Sequence, residues 1–159
     1  ALNQLYKQSI NVKTTKSKHW EIPVCYDAKF GIDLEVISKT NNLSIQEIIK
    51  RHTESIYTVY FIGFLPGFLY LGGLDESLAI PRKSVPRFQV PKGAVAIGGS
   101  QTGIYPIESS GGWNIIGNSP ISFFDINNDT PCFAKTGDTV SFKSISMNTY
   151  EELDKLNMS

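Results

Sequence analysis

From Tyr57 to Ile145 the apolar runs are short, and glycine or proline interrupts them at brief, fairly regular intervals. That punctuation excludes long helices over more than half of the chain and selects short strands joined by tight turns. Strands are expected at Tyr57–Ile62, Phe88–Val90, Ala94–Ile97, Gly103–Tyr105, Trp113–Ile116, Ser122–Asp125, Cys132–Ala134 and Thr139–Ile145. Their spacing points to an all-β barrel or sandwich rather than to βαβ units. A chain of 159 residues is long enough to bury one core and short for two.

The segments before Tyr57 differ. His19 to Tyr26 alternates as a strand does, with Trp20, Ile22, Val24 and Tyr26 on one face. Asp33–Lys39 reads as a short helix broken by Asn41-Asn42. Ser44 and Glu47 then form a capping box, and Ile45, Ile48, Ile49 and His52 fall on one helical face. This helix should end near Thr53–Ser55, and a closing helix over Thr149–Leu156 should pack back through Tyr150 and Leu153. Residues 1–18 are polar and weakly patterned; they read as a linker or the tail of a missing N-terminal domain, leaving 19–159 as the folded domain.

Charge narrows the function. Fifteen Lys+Arg balance fifteen Asp+Glu, so no global field draws in nucleic acid or an anionic membrane. Lys13, Lys16 and Lys18 form a small basic patch without interleaved aromatics, as a solvated loop face does. No apolar run is long enough to span a membrane. Cys25 and Cys132 sit in strand-like apolar settings without metal-ligand spacing; they read as buried reduced thiols, with a mutual disulfide as the alternative.

Four stretches could carry chemistry. Gly63-Phe64-Leu65-Pro66-Gly67-Phe68-Leu69-Tyr70 is a loop too aromatic to be a solubilising connection. Either Phe64 and Phe68 plug a barrel end, or they form the lip of a site; both can hold at once. Pro81-Arg82 and Pro86-Arg87 are two Pro-Arg pairs whose guanidinium groups could be held apart at fixed positions to grip a carboxylate or phosphate, or could be solvated. Gly98 to Pro106 places Gln101, Thr102 and Tyr105 among glycines, resembling a backbone nest for a small anionic or amide ligand. Gly111-Gly112-Trp113 allows close backbone approach beside an indole, or a bulge with a core tryptophan. His52 is the sole acid–base candidate of note, with burial in the core as its ordinary reading. Asp125 and Asp138 suit turns. No metal-ligand cluster, P-loop or Ser-His-Asp order stands out, so the residues favour a binding site over a self-sufficient catalytic centre.

Taken in order, Ile22-Pro23-Val24, His52, Gly63–Leu71, Pro81-Arg82, Pro86-Arg87, Gln101–Pro106, Gly111–Trp113, Gly117 and Gly137-Asp138 resemble the family of B-type 5-oxoprolinase subunits, also called kinase-A inhibitor or allophanate hydrolase subunit 1. The resemblance covers roughly residues 20–145. It implies a cyclophilin-like closed β-barrel with one or two short helices, without implying prolyl isomerase activity. It implies a cytoplasmic protein acting with homologous C-type and further A-type subunits in ATP-dependent opening of 5-oxoproline to glutamate, with ATP and Mg belonging to the assembled complex. Two other readings follow from the same family: inhibition of histidine kinase autophosphorylation, and a part in a urea carboxylase or allophanate hydrolase system.

In the leading reading Arg82 holds a carboxylate or phosphoryl group and His52 carries a proton. Arg87 shares that grip, Gln101, Thr102 and Tyr105 orient a small carboxylate or cyclic amide ligand, and Phe64, Pro66, Phe68 and Trp113 wall the pocket or the subunit interface. Two departures from the family pattern stand out. Ser110 replaces a proline before Gly111-Gly112-Trp113, and Asn118 replaces an arginine in Gly117-Asn118-Ser119-Pro120.

Overall fold

The computed structural model describes residues 16–158, so most of the expected linker, Lys13 included, lies outside the described residues. Lys18 already belongs to the fold: its amide donates to Asp138 and its carbonyl accepts from the Thr139 amide. The described chain builds β1 (His19–Val24), α1 (Leu34–Asn41), α2 (Ile45–Glu54), β2 (Tyr57–Ile62) and β3 (Leu69–Gly72). There follow β4 (Arg87–Val90), β5 (Ala94–Gly98), β6 (Gln101–Ile104), β7 (Ser109–Gly111), β8 (Asn114–Asn118), β9 (Thr139–Ser144) and α3 (Met147–Met158).

Seven strands form one sheet in the order β1-β9-β2-β3-β6-β5-β8, all pairs antiparallel except the parallel β1–β9. Its two ends meet just beyond β1, where Cys25 and Asn118 exchange backbone hydrogen bonds of 2.9 and 3.0 Å. The sheet is thus a nearly closed barrel, which removes most of its exposed edge. β4 and β7 pair separately as a two-stranded sheet outside it. Three α-helices and a short 3-10 turn at Glu76–Leu78 accompany the strands among the described residues; the three are those the residue patterns expect, where the resemblance implies one or two.

Two cores result. Ile22, Val24, Ile37, Ile48, Val59, Leu71 and Ile116 belong to the larger one. Phe68, Val90, Ala94, Ala96, Tyr105, Trp113 and Ile115 form a second. β5 shows how one strand serves both. Val95 and Ile97 join the larger core, while Ala94 and Ala96 join the second. Alternation along a strand sends successive side chains to opposite faces, and here both faces are covered.

The capped helix α2 matches its sequence. The Ser44 side chain accepts from the Glu47 amide at 3.2 Å, and the Glu47 carboxylate accepts from the Ser44 amide at 2.8 Å. Ser44→Ala should cost about 1 kcal/mol and lower the thermal midpoint by about 3 °C; an unchanged melting curve would show that the cap contributes nothing.

The structure corrects several expectations. Leu69–Gly72 is not loop but the central strand β3, held between β2 and β6. Ser122–Asp125 and Cys132–Ala134 share a single bridge, Phe124 to Cys132, rather than forming strands. The Gly98–Pro106 stretch is no open nest, since Gly98 and Gln101 close the β5–β6 hairpin. Both cysteines are free thiols, Cys25 buried and Cys132 half-buried. Burial raises the pKa of each. Asp138 has the expected turn role, accepting from the Lys18 and Lys135 amides and from the Trp20 indole.

Candidate functional site

The aromatic loop is two consecutive turns. Leu65 donates to the Gly63 carbonyl at 2.8 Å, wrapping a γ-turn around Phe64, whose φ is 67°. Phe68 then donates to the Leu65 carbonyl at 3.0 Å across Pro66-Gly67, with Gly67 at φ 83°. Proline followed by a positive-φ glycine is the residue pair that a type II turn demands. A side chain on Gly67 would also stand 2.7 Å from Phe124 Cβ. The two turns send neighbouring aromatics in opposite directions. Phe68 is 1% exposed in the second core, whereas Phe64 is 66% exposed. A non-glycine residue at such a φ is uncommon and strained, so the surrounding turn must hold Phe64 outward.

Phe68 meets Tyr105 and Trp113 edge-on, with centroids 5.1 and 5.5 Å apart, and Tyr70 lies 4.7 Å from Phe68. Gly98 makes room for the indole: a Cβ there would stand 2.5 Å from Trp113. Gly111 likewise lies against the Tyr105 ring, where a Cβ would collide. These aromatics, with Arg82, Lys83 and the Ser110–Gly112 backbone, line an open pocket of about 300 Å3. That size suits a small molecule. Burial raises the Tyr105 pKa, against a hydrogen bond from the Trp113 backbone, so the phenol is a protonated donor at neutral pH.

Charge at the pocket is arranged by Asp33. Its carboxylate is almost wholly buried and accepts from four donors: both Arg87 terminal nitrogens and the Ile115 amide at 2.7 Å, and Lys83 Nζ at 2.9 Å. Burial alone would raise its pKa, but the hydrogen bonds from Arg87, Lys83 and Ile115 bring it below the usual carboxylate value. Arg82 is exposed, stands 5.4 Å from the Trp113 ring, and pairs with no carboxylate among the described residues. Two cations on one carboxylate, plus Arg82, leave this wall net positive. A flat apolar body carrying an anion fits it.

The structure therefore gathers Phe64, Phe68, Arg82, Tyr105 and Trp113 around one pocket. It does not bring Pro66, Arg87, Gln101, Thr102 or His52 there. Pro66 is an exposed turn residue, and Gln101 is half-buried at the hairpin end. Arg87 is no free ligand-gripper, because its guanidinium is spent on Asp33. His52 is wholly buried, stacked on Phe142 at 4.5 Å, with both ring nitrogens engaged by Tyr26 and Thr102 at 2.7 and 2.9 Å. The Thr102 hydroxyl donates onward to the Ala96 carbonyl. Thr102 must then accept from His52 Nε2–H, and Nδ1 accepts from Tyr26. Burial holds this imidazole neutral, its pKa brought down to about 3. His52 and Thr102 are thus polar links inside the core rather than pocket groups.

Asn118 is also occupied away from the pocket. It donates to the Lys92 carbonyl and accepts from the Tyr150 hydroxyl of α3. Sequence reasoning missed Tyr70, Lys83 and Asp33. Lys83 carried a signal, since it lies next to Arg82 between the two Pro-Arg pairs. Asp33 carried none beyond a helix start. Among the described residues no His, Cys, Asp and Glu cluster suits a metal ion, and no helix is long and apolar enough to cross a membrane.

Residues 1–134 match the family described as carboxyltransferase domain, subdomain C and D. The B-type 5-oxoprolinase subunit of Bacillus subtilis is 48% identical over 130 residues, covering 82% of this chain and 54% of the relative. The chain thus spans about half the length of that relative. A conserved uncharacterized protein of Pyrococcus horikoshii superposes with a TM-score of 0.81 at 42% identity, covering 94% of this chain and 66% of that one. The Kluyveromyces lactis urea carboxylase shares the fold, with a TM-score of 0.78 at 19% identity over 97% of this chain and 16% of its own length.

Proposed function

We propose, for a chain that belongs to the carboxyltransferase-domain family of subdomains C and D, that it forms the B-type part of a multi-subunit 5-oxoprolinase and binds 5-oxoproline in the Trp113 pocket. The observation that carries this reading is Arg82, unpaired by any described carboxylate and laid against the Trp113 indole at the pocket wall. The name of the Bacillus subtilis relative supports it.

In this reading Arg82 grips the ligand carboxylate in a two-pronged contact, with the Lys83 ammonium adding charge beside it. Tyr70 and Trp113 flank the lactam ring, and the protonated Tyr105 phenol donates to the ring carbonyl. Gly111 and Gly112 keep that side of the pocket open to backbone approach. ATP and Mg2+ would serve the assembled enzyme. The pocket does not fit Mg2+: its charged lining is cationic, and all acceptor positions of the nearby Asp33 are filled. The metal, and the nucleotide it accompanies, are accordingly assigned to the partner chains, and this chain binds and orients. Phe64, two-thirds exposed at the pocket lining, would offer a partner apolar contact through which to close the pocket.

The test is to produce the full protein containing this chain with its A- and C-type partners and to measure 5-oxoproline-dependent ATP hydrolysis. Turnover should require this protein. Equal turnover by a complex lacking it would overturn the proposal. The exposed Phe64 and Phe88 side chains also suit contact with a histidine kinase; autophosphorylation measured with and without the protein checks that second reading.

A further inference from the structure

We infer that Asp33 is the positioning residue of the pocket, holding Arg82 against Trp113 through Lys83 and Arg87. The inference rests on the reading of the pocket as an anion site, but its test needs no substrate.

Asp33 occupies the N-cap position of α1, where aspartate ordinarily accepts from a backbone amide of its own helix. Here its side chain makes no such bond. It turns away and spends both oxygens on residues distant in sequence, each oxygen accepting from two donors. Oδ1 takes Arg87 and Lys83; Oδ2 takes Arg87 and the Ile115 amide. The Asp33 amide in turn donates to the Ile115 carbonyl at 2.9 Å, which locks the carboxylate to β8.

The segment from Pro81 to Pro86 has no regular secondary structure of its own. Its tethers are the Asn114 amide group on the Pro81 carbonyl at 3.0 Å, the Lys83 amide on the Gly112 carbonyl at 2.7 Å, and the two ion pairs to Asp33. Arg82 lies between two anchored neighbours, and among the described residues its own side chain is laid only against the indole. The loop's cationic side chains repel one another, and the buried carboxylate is the charge that gathers them. Removing it leaves two half-buried cations without that partner beside a third, and their mutual repulsion drives rearrangement. The loop should then swing outward and carry Arg82 off Trp113.

The chain has two tryptophans, Trp20 and Trp113, so fluorine NMR of 5-fluorotryptophan-labelled protein gives one signal for each. Trp20, hydrogen-bonded to Asp138, serves as an internal control. Arg82→Ala should displace the Trp113 signal and leave the Trp20 signal in place. Asp33→Asn should reproduce most of that displacement in a protein that still melts cooperatively, and Asp33→Asn combined with Arg82→Ala should add little to Arg82→Ala alone. A Trp113 signal unmoved by Asp33→Asn, or additive displacements in the double variant, would overturn the inference. Should Asp33→Asn fail to fold, Lys83→Met decides, because it removes one tether while the Arg87 clamp stays. A partial displacement in the same direction supports the inference, and no displacement overturns it. Failure here leaves the 5-oxoproline reading standing, and absence of 5-oxoproline turnover leaves this result standing.

Discussion

Arg82→Ala is expected to lower kcat/KM for 5-oxoproline in the assembled enzyme by about 10- to 100-fold, the loss that a charge-assisted hydrogen bond of about 1.5–3 kcal/mol implies. Folding should be nearly untouched, because Arg82 is exposed and makes no ion pair among the described residues. A surface substitution of that kind stays within about 0.5 kcal/mol. Arg82→Lys should recover only part of the loss, since an ammonium keeps the charge without the planar fork. Most of the effect should lie in KM if Arg82 grips the carboxylate equally in ground and transition states. Steady-state kinetics beside a thermal melt check both statements. Unchanged kinetics would remove Arg82 from the binding role, whereas a large fall in melting temperature would mean that its contact with Trp113 is chiefly structural.

Acid should weaken the fold through His52, a residue the pocket does not use. Its folded pKa is about 3, against an ordinary 6.5, because burial disfavours the charged ring. Between those values the unfolded chain takes up a proton and the folded one does not. Stability is therefore fully present above about pH 6.5 and falls as pH drops toward 3, by about 3 kcal/mol at pH 4. His52→Gln should be less stable at pH 7, because it loses the stack on Phe142 and disturbs the links to Tyr26 and Thr102. It should also show a flatter stability profile between pH 7 and 4. Denaturant melts across that range provide the measurement. A variant retaining the wild-type slope would show that other groups cause the acid sensitivity. Asp33 adds loss at still lower pH: its folded pKa lies below the unfolded one, so its contribution disappears as pH falls through the folded value.

The elements legible in the sequence were those whose chemistry is local. Ser44 and Glu47 lie three residues apart, and their reciprocal bonds form inside one helical turn. The alternation of β1 and the short apolar run of β9 are equally short-range. β3 was not legible, because Leu69–Gly72 has no polar alternation; as a central strand it is almost wholly covered by the elements around it. Ser122–Asp125 misled in the other direction, since apolar content near Phe123 serves packing without a ladder.

The pocket divides along the same line. By itself the sequence determined that Gly63–Leu71, Pro81–Arg87 and Gly111–Trp113 carry unusual chemistry, and their ordered agreement with one family showed where to look. Phe64, Phe68, Arg82, Tyr105 and Trp113 do meet. Only the tertiary structure decided which of the two Pro-Arg arginines faces the pocket. Arg82 and Arg87 occur in nearly the same local setting, and what separates them is a carboxylate 54 residues away from Arg87. Asp33 is buried against β8 and takes the Arg87 guanidinium through two parallel hydrogen bonds, so Arg87 is consumed and Arg82 is left. His52 was decided in the same way. Its place on the inner face of α2 follows from helical periodicity, but its closure between Tyr26, Thr102 and Phe142 depends on strands brought together by the barrel.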